Sequence, residues 1–106
     1  MPVLTASDLK KLNKNTPVRV AGIVTLRQRP RTANGVAFIS LEDETGTINI
    51  ICWNNIYNKF YREILSSKLL LIDGLMQKDH GVINIIAKSI IDISELLKLI
   101  PKIDTT

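Results

Sequence analysis

The sequence predicts an all-β protein, a five-stranded Greek-key barrel with a helix between strands three and four and a short helix at each end. Three observations carry this. Five segments of the 106-residue chain are rich in apolar residues that alternate with polar ones, the period of half-buried strands. Turn residues separate most of them: Pro30 and Asn34-Gly35, then Asp43 to Gly46, then Asp79-His80-Gly81. The long interruption between the third and fourth segments has helical spacing instead.

"TASDLKKLNKN" opens the chain with capping residues. Thr5 or Ser7 can accept from unpaired backbone N–H groups, and Asp8 suits the positive end of a helix over about 7–13. "NTP" at Asn15–Pro17 ends it. Strand one follows from Val18, with Val18, Val20 and Val24 apolar and Arg19 and Thr25 polar; Gly22 inside it is expected to mark a bulge or bend. "VAFISLE" (36–42) and "TINIICW" (47–53) form a hairpin. Ile56, Phe60 and Ile64 fall at i, i+4 and i+8, so a helix is expected over 54–65 with Asn54 or Asn55 as its cap. "KLLLIDGLMQ" and "VINIIAKSIIDI" are strands four and five, turned by "KDHG" with Gly81 at positive φ. Ser94 caps a closing helix that Pro101 stops.

Three strands, a helix, then a hairpin is the order of the OB-fold, a small barrel whose helix plugs one end. One such domain is expected over 1–106, with the barrel at about 17–93. The 45% hydrophobic content supports a single modest core. Nothing approaches the roughly 18 apolar residues of a membrane span, and the N-terminus lacks the pattern of a secretory signal. The lone Cys52 excludes an internal disulfide and points to the reducing cytoplasm. A net charge of +4 favours acidic partners, nucleic acid first among them.

Strand parity sorts the site. Ala37, Ile39 and Leu41 share one face with Ile48, Ile50 and Cys52 across the hairpin, and these form the interior. Phe38 and Ser40 then face out, as do Asn49 and Ile51. An exposed aromatic on an OB strand stacks a base whatever its identity, and an amide beside it can read a base edge. Arg27, Arg29 and Arg31 alternate with Gln28, Pro30 and Thr32 in the loop that flanks this face, so in extended chain they project together as a groove wall for phosphates. Lys78 and His80 make the opposite wall, and Arg19 extends it. Trp53 is read as a packing residue. Ile51, Tyr57 and Tyr61 are the surface apolar residues that a protein partner could use. "EDE" at 42–44 is a turn in which Asp43 bonds local backbone. With one histidine and no phosphate-binding glycine motif, neither a His-based triad nor a metal cluster is expected. No catalysis and no cofactor follow.

"VRVAGIVTLRQRPRTANGVAFISLEDETGTINIICW", with "LL---G--Q---GV--I-A" after it, resembles the C-terminal OB domain of bacterial error-prone DNA polymerases, paralogues of the polymerase III alpha subunit. The resemblance covers about 16–97. It implies single-stranded DNA binding, with polymerase subunits or other replication and repair proteins as further partners. The family's polymerase chemistry resides in other domains, so the resemblance implies an isolated domain or a short stand-alone derivative. The shorter "F--L-D-TG" element is shared with anticodon-binding domains of some tRNA synthetases, where the aromatic matching Phe38 stacks a base. RNA of the anticodon type and protein docking are the alternatives.

Overall fold

A computed structural model describes residues 1–99. Its strands are β1 (Pro17–Gln28), β2 (Ala37–Asp43), β3 (Gly46–Cys52), β4 (Leu69–Asp79) and β5 (Val82–Asp92). They close as a barrel in the order β1-β2-β3-β5-β4, with β4 returning to β1. All neighbours are antiparallel except β3 and β5. Closure removes the edges through which an open sheet of this kind would aggregate. The expected OB architecture is therefore present.

β1 serves two partners. Residues 17–23 pair with β4 and residues 23–28 with β2. The turn from one to the other needs Gly22, because a Cβ there would lie 2.9 Å from the Glu42 carbonyl oxygen and 3.0 Å from the Leu41 Cβ. Gly22 marks this close approach of backbones rather than a bulge. The bulge lies three residues on, where the register slips between Val24 and Leu26. It reverses the parity of the rest of the strand, with consequences for the arginines described below.

The interior holds the residues that parity selects. Val18, Val20, Ile39, Leu41, Ile48, Ile50, Ile64, Leu70, Ile72, Met76, Ile85 and Ile90 are almost wholly buried. Ile56 and Phe60 are only half-buried, packed on the margin of this core. Cys52 is also buried, and burial pushes its thiol up to about 12. It is a small apolar core residue and stays protonated.

Each end of the barrel is covered. At one end, α1 (Ala6–Leu9) lies against β3 and buries Ala6 and Leu9. It is shorter than the expected 7–13 helix. Thr5 caps it in a reciprocal box with Asp8, and the capping hydrogen bonds hold the Asp8 carboxyl below its usual range. The β2–β3 turn ties it down. Asp43 accepts from the Thr45 hydroxyl (2.7 Å) and from the Thr45 and Gly46 amides, and its second oxygen accepts from the Ala6 amide (2.8 Å). Partial burial alone would raise the Asp43 carboxyl, but these hydrogen bonds outweigh it and hold it below the usual range. The acidic turn is a structural clamp.

At the other end lie α2 (Asn54–Lys59) and α3 (Tyr61–Ser66). The expected continuous helix breaks at Phe60, which leaves helical geometry at φ −110°, ψ 28°. Neither Asn54 nor Asn55 caps it; the N-cap is Trp53, with no side-chain hydrogen bond. After β5 the chain makes a 3₁₀ segment, Ser94–Leu99. Ser94 Oγ accepts from the Lys68 and Leu69 amides and donates to Asp92, so it fastens the start of β4 rather than capping an α-helix. Pro101, read as the stop of that helix, lies outside the described residues. Among the described residues no helix is long and apolar enough to cross a membrane.

Candidate nucleic-acid interface

The ladder fixes the outer face of the hairpin. Phe38 pairs with Ile51, Ser40 with Asn49, and Ile39 with Ile50 between them. Since Ile39 and Ile50 are buried, both flanking pairs face out. Phe38 is 37% exposed, Ser40 is half-buried and Asn49 is exposed. The rows continue around the barrel: Ile51 pairs with Ile86 and then Leu75, and Asn49 with Asn84 and then Gln77. An apolar row headed by Phe38 therefore runs beside a row of amides. The amide row follows from the β3–β5 pairing, which sequence reasoning did not specify, so Asn84 and Gln77 were missed.

The arginines divide. The bulge after Val24 puts Arg27 opposite buried Ile39, on the inner parity at the barrel rim. Its guanidinium turns under the barrel and donates to the Ile64 carbonyl (2.6 Å) and the Ser67 carbonyl. A cation on the last carbonyls of a helix is a C-terminal cap. The expected phosphate contact of Arg27 thus meets a residue of β1 already committed to α3. Arg29 lies beyond β1, stacks 4.0 Å over the Tyr57 ring and donates to Asn54 Oδ1 (3.1 Å) and the Gly35 carbonyl. Tyr57 is buried beneath it, which removes Tyr57 from the expected surface set while Tyr61 remains exposed. Arg31 begins a 3₁₀ turn, Arg31–Ala33, and is exposed. Among the described residues it has no hydrogen bond or ion pair. Asn34 and Gly35 follow at positive φ, 52° and 85°, and set the loop against Asn54.

Arg19 does not join this surface. It faces Asp73 across the β1–β4 ladder and binds that carboxylate through two nitrogens at 2.6 and 2.9 Å. The Arg19 hydrogen bonds hold the Asp73 carboxyl below its usual range. Lys78 shares the inner parity of buried Met76, so it turns toward α1 and donates to the Lys10 carbonyl (3.3 Å). His80 and Gly81 form the two-residue turn, both at positive φ (50° and 80°), with His80 Nδ1 2.7 Å from Asp79 in full solvent. They stand at the far end of the outer face from Arg29, beside the acidic β2–β3 turn. Of the expected cations, Arg29 and Arg31 remain at the β1–β2 loop, while Lys78 lies with Lys10 at the α1 end.

Trp53 contradicts the packing expectation. It is 54% exposed. A shallow cavity of about 150 Å³ opens between Arg29 and Phe38, floored by Tyr57, Ile64 and Leu65. A larger one, about 510 Å³, lies on the opposite side between Gly22, Leu69, Ile93 and Leu97. Glu42, Asp43 and Glu44 rim that cavity, and their carboxylates repel a phosphate backbone, so its size does not make it the nucleic-acid site. Among the described residues no cluster of His, Cys, Asp or Glu is arranged to hold a metal.

Comparison with known proteins agrees with this geometry. Over 98 residues the chain is 41% identical to error-prone DNA polymerase 1 of Rhizobium meliloti, a match covering 92% of this chain and 9% of that protein. It is 43% identical over 94 residues to the error-prone DNA polymerase of Dechloromonas aromatica, covering 89% and 9%. The chain thus spans about a tenth of the length of these relatives. In fold it is similar to asparaginyl-tRNA synthetase from Pyrococcus horikoshii in complex with asparaginyl-adenylate. That match has a TM-score of 0.74 at 17% identity and covers 88% of this chain and 22% of that one. Residues 18–93 match the tRNA anticodon-type family, described as an OB-fold nucleic acid binding domain. The barrel order, the outward aromatic and the arginine loop therefore belong to a member of the OB-fold nucleic acid binding domain family.

Proposed function

We propose that the chain is a non-catalytic module that binds single-stranded DNA across the outer face of β2 and β3, as part of an error-prone DNA polymerase or a derivative of one. The observation that carries this is Phe38. It stands outward near the start of β2 between buried Ala37 and Ile39, with Arg29 at its side. A ring more than a third exposed on a strand whose neighbours are fully packed is suited to a base face. Similarity to error-prone polymerases over most of the chain favours DNA as the ligand and replication or repair proteins as its company. A single cysteine, which leaves no internal disulfide to form, suits a cytoplasmic setting.

RNA is the alternative that the anticodon-type family match favours. Anisotropy titrations of labelled single-stranded DNA, RNA of the same sequence and duplex DNA discriminate. The expected order is single-stranded DNA tightest and duplex weakest. RNA binding tightest would replace the DNA reading, and no binding to any of the three would leave a protein-docking barrel. Affinity for the module alone is expected to be weak, because a full-length polymerase holds its strand with several domains at once.

The same titration run against salt separates the arginines. Each phosphate neutralised on a single strand adds about 0.7 to the slope of log affinity against log salt. Arg31→Ala is expected to flatten the slope by about that amount on every sequence tested, since phosphates carry no base identity. Arg27→Ala is expected to leave the slope unchanged and to lower the melting temperature, because it uncaps the Ile64 and Ser67 carbonyls. The opposite assignment of the two effects would restore Arg27 as a phosphate ligand.

A further inference from the structure

We infer that Trp53 is a second stacking platform, and that Phe38 and Trp53 take two bases of one single strand. This rests on the single-strand reading above and adds a site to it.

The placement comes from parity. Ile51 faces out opposite Phe38, Cys52 is buried, and Trp53 follows. Trp53 is the first residue past the end of the ladder, and the same alternation carried one residue further puts it on the outer face, two residues beyond the partner of Phe38. Such diagonal neighbours lie about 7–8 Å apart, within reach of aromatic side chains. The chain's single tryptophan is more exposed than Phe38.

Helix capping does not explain its presence. Trp53 occupies the N-cap of α2, where its carbonyl accepts from the Tyr57 amide at 2.8 Å. That position favours Ser, Thr, Asp or Asn, whose side chains satisfy an unpaired N–H. An indole cannot accept such a bond, and none is made. Core packing does not explain it either, given its exposure. Its backbone is nevertheless held at φ −63°, ψ 158° between a ladder and a helix, so the ring is carried on rigid structure.

The neighbouring residue links it to the basic loop. Asn54 accepts from Arg29 and packs against Gly35. Arg29 also borders the cavity that Phe38 lines. Two exposed rings with a guanidinium beside them are what a sequence-tolerant single-strand site requires: π faces for bases and a cation for the linking phosphate.

Trp53 is the only source of indole emission, so fluorescence excited at the red edge, where Tyr57 and Tyr61 do not absorb, reports on it alone. Titration with an unlabelled oligothymidylate is expected to quench it, with the same midpoint as anisotropy on the labelled oligomer. Trp53→Ala is expected to weaken that binding about 5- to 150-fold, and Trp53→Phe to restore most of it. Melting of Trp53→Ala is expected to stay near wild type, since the residue is more than half exposed and lies outside the core cluster; should it unfold, the wild-type quenching and Trp53→Phe still decide. Binding by anisotropy with unmoved emission and an unimpaired Trp53→Ala variant overturns the inference and leaves the single-strand reading standing. Absence of binding by the wild type removes that reading and this inference with it. Quenching on addition of a protein and not of oligothymidylate would also overturn it and make Trp53 a protein contact.

Discussion

Replacing Phe38 by alanine is expected to weaken single-strand binding by about 1–3 kcal/mol, the usual worth of one stacked base. That is roughly 5- to 150-fold in affinity. The barrel should survive. A fully buried aromatic cut to alanine costs about 3–5 kcal/mol of stability, but Phe38 is 37% exposed and stands outside the buried core cluster. Circular dichroism melts and anisotropy on the same preparations separate the two effects. A large loss of melting temperature with normal binding by the folded fraction would make Phe38 a core residue.

Gly74→Ala is expected to cost the barrel about 1–3 kcal/mol, the range for forcing atoms into a packed interior. The reason is local. β4 and β5 slip register between Asp73 and Gly74, leaving Lys88 of β5 as the extra residue. The bend brings the β5 backbone so near that a Cβ on Gly74 would overlap the Ile86 carbonyl oxygen and lie 2.7 Å from Ile85 Cγ2. Backbone cannot swing aside as a side chain does. At about 4–8 °C per kcal/mol for a domain near this size, the melting temperature should fall by several degrees. Gly81→Ala is the control. Its space is open, although its φ of 80° adds strain, so its loss should come from conformation alone. An unchanged melt for Gly74→Ala would mean that the strands do not approach this closely.

The fold was legible because its strands state their parity. Ile39, Leu41 and Ile48 alternate with polar or aromatic neighbours, and burial follows that alternation from Ala37 to Leu41 and from Ile48 to Cys52. The turns were legible for the same kind of reason, Gly81 and Asn34-Gly35 taking the positive φ that those residues tolerate. Much of the site was harder to read. A bulge that needs no glycine reversed the parity of β1 and sent Arg27 inward, and nothing in "VTLRQ" signals it. The partners of Lys78 and Arg19 were illegible for a similar reason: charge in a sequence says nothing of the carbonyl or carboxylate that will take it. Trp53, where strand gives way to helix, was assigned to packing and is exposed instead. The signal that could have corrected this was present, since it directly follows the inward Cys52 and occupies a capping position that it cannot use.

The measurement that bears most directly on a single-strand site at the outer face of β2 and β3 is amide chemical-shift mapping with an oligothymidylate. Shifts are expected at Phe38, Ser40, Asn49 and Ile51, in the loop from Arg29 to Gly35, and at the Trp53 indole, all moving along one saturating curve. Ala21, Leu69 and Ile93, beside the acid-rimmed cavity, are expected to stay still. Shifts confined to that second group, or none at concentrations where anisotropy saturates, would contradict the placement of the site.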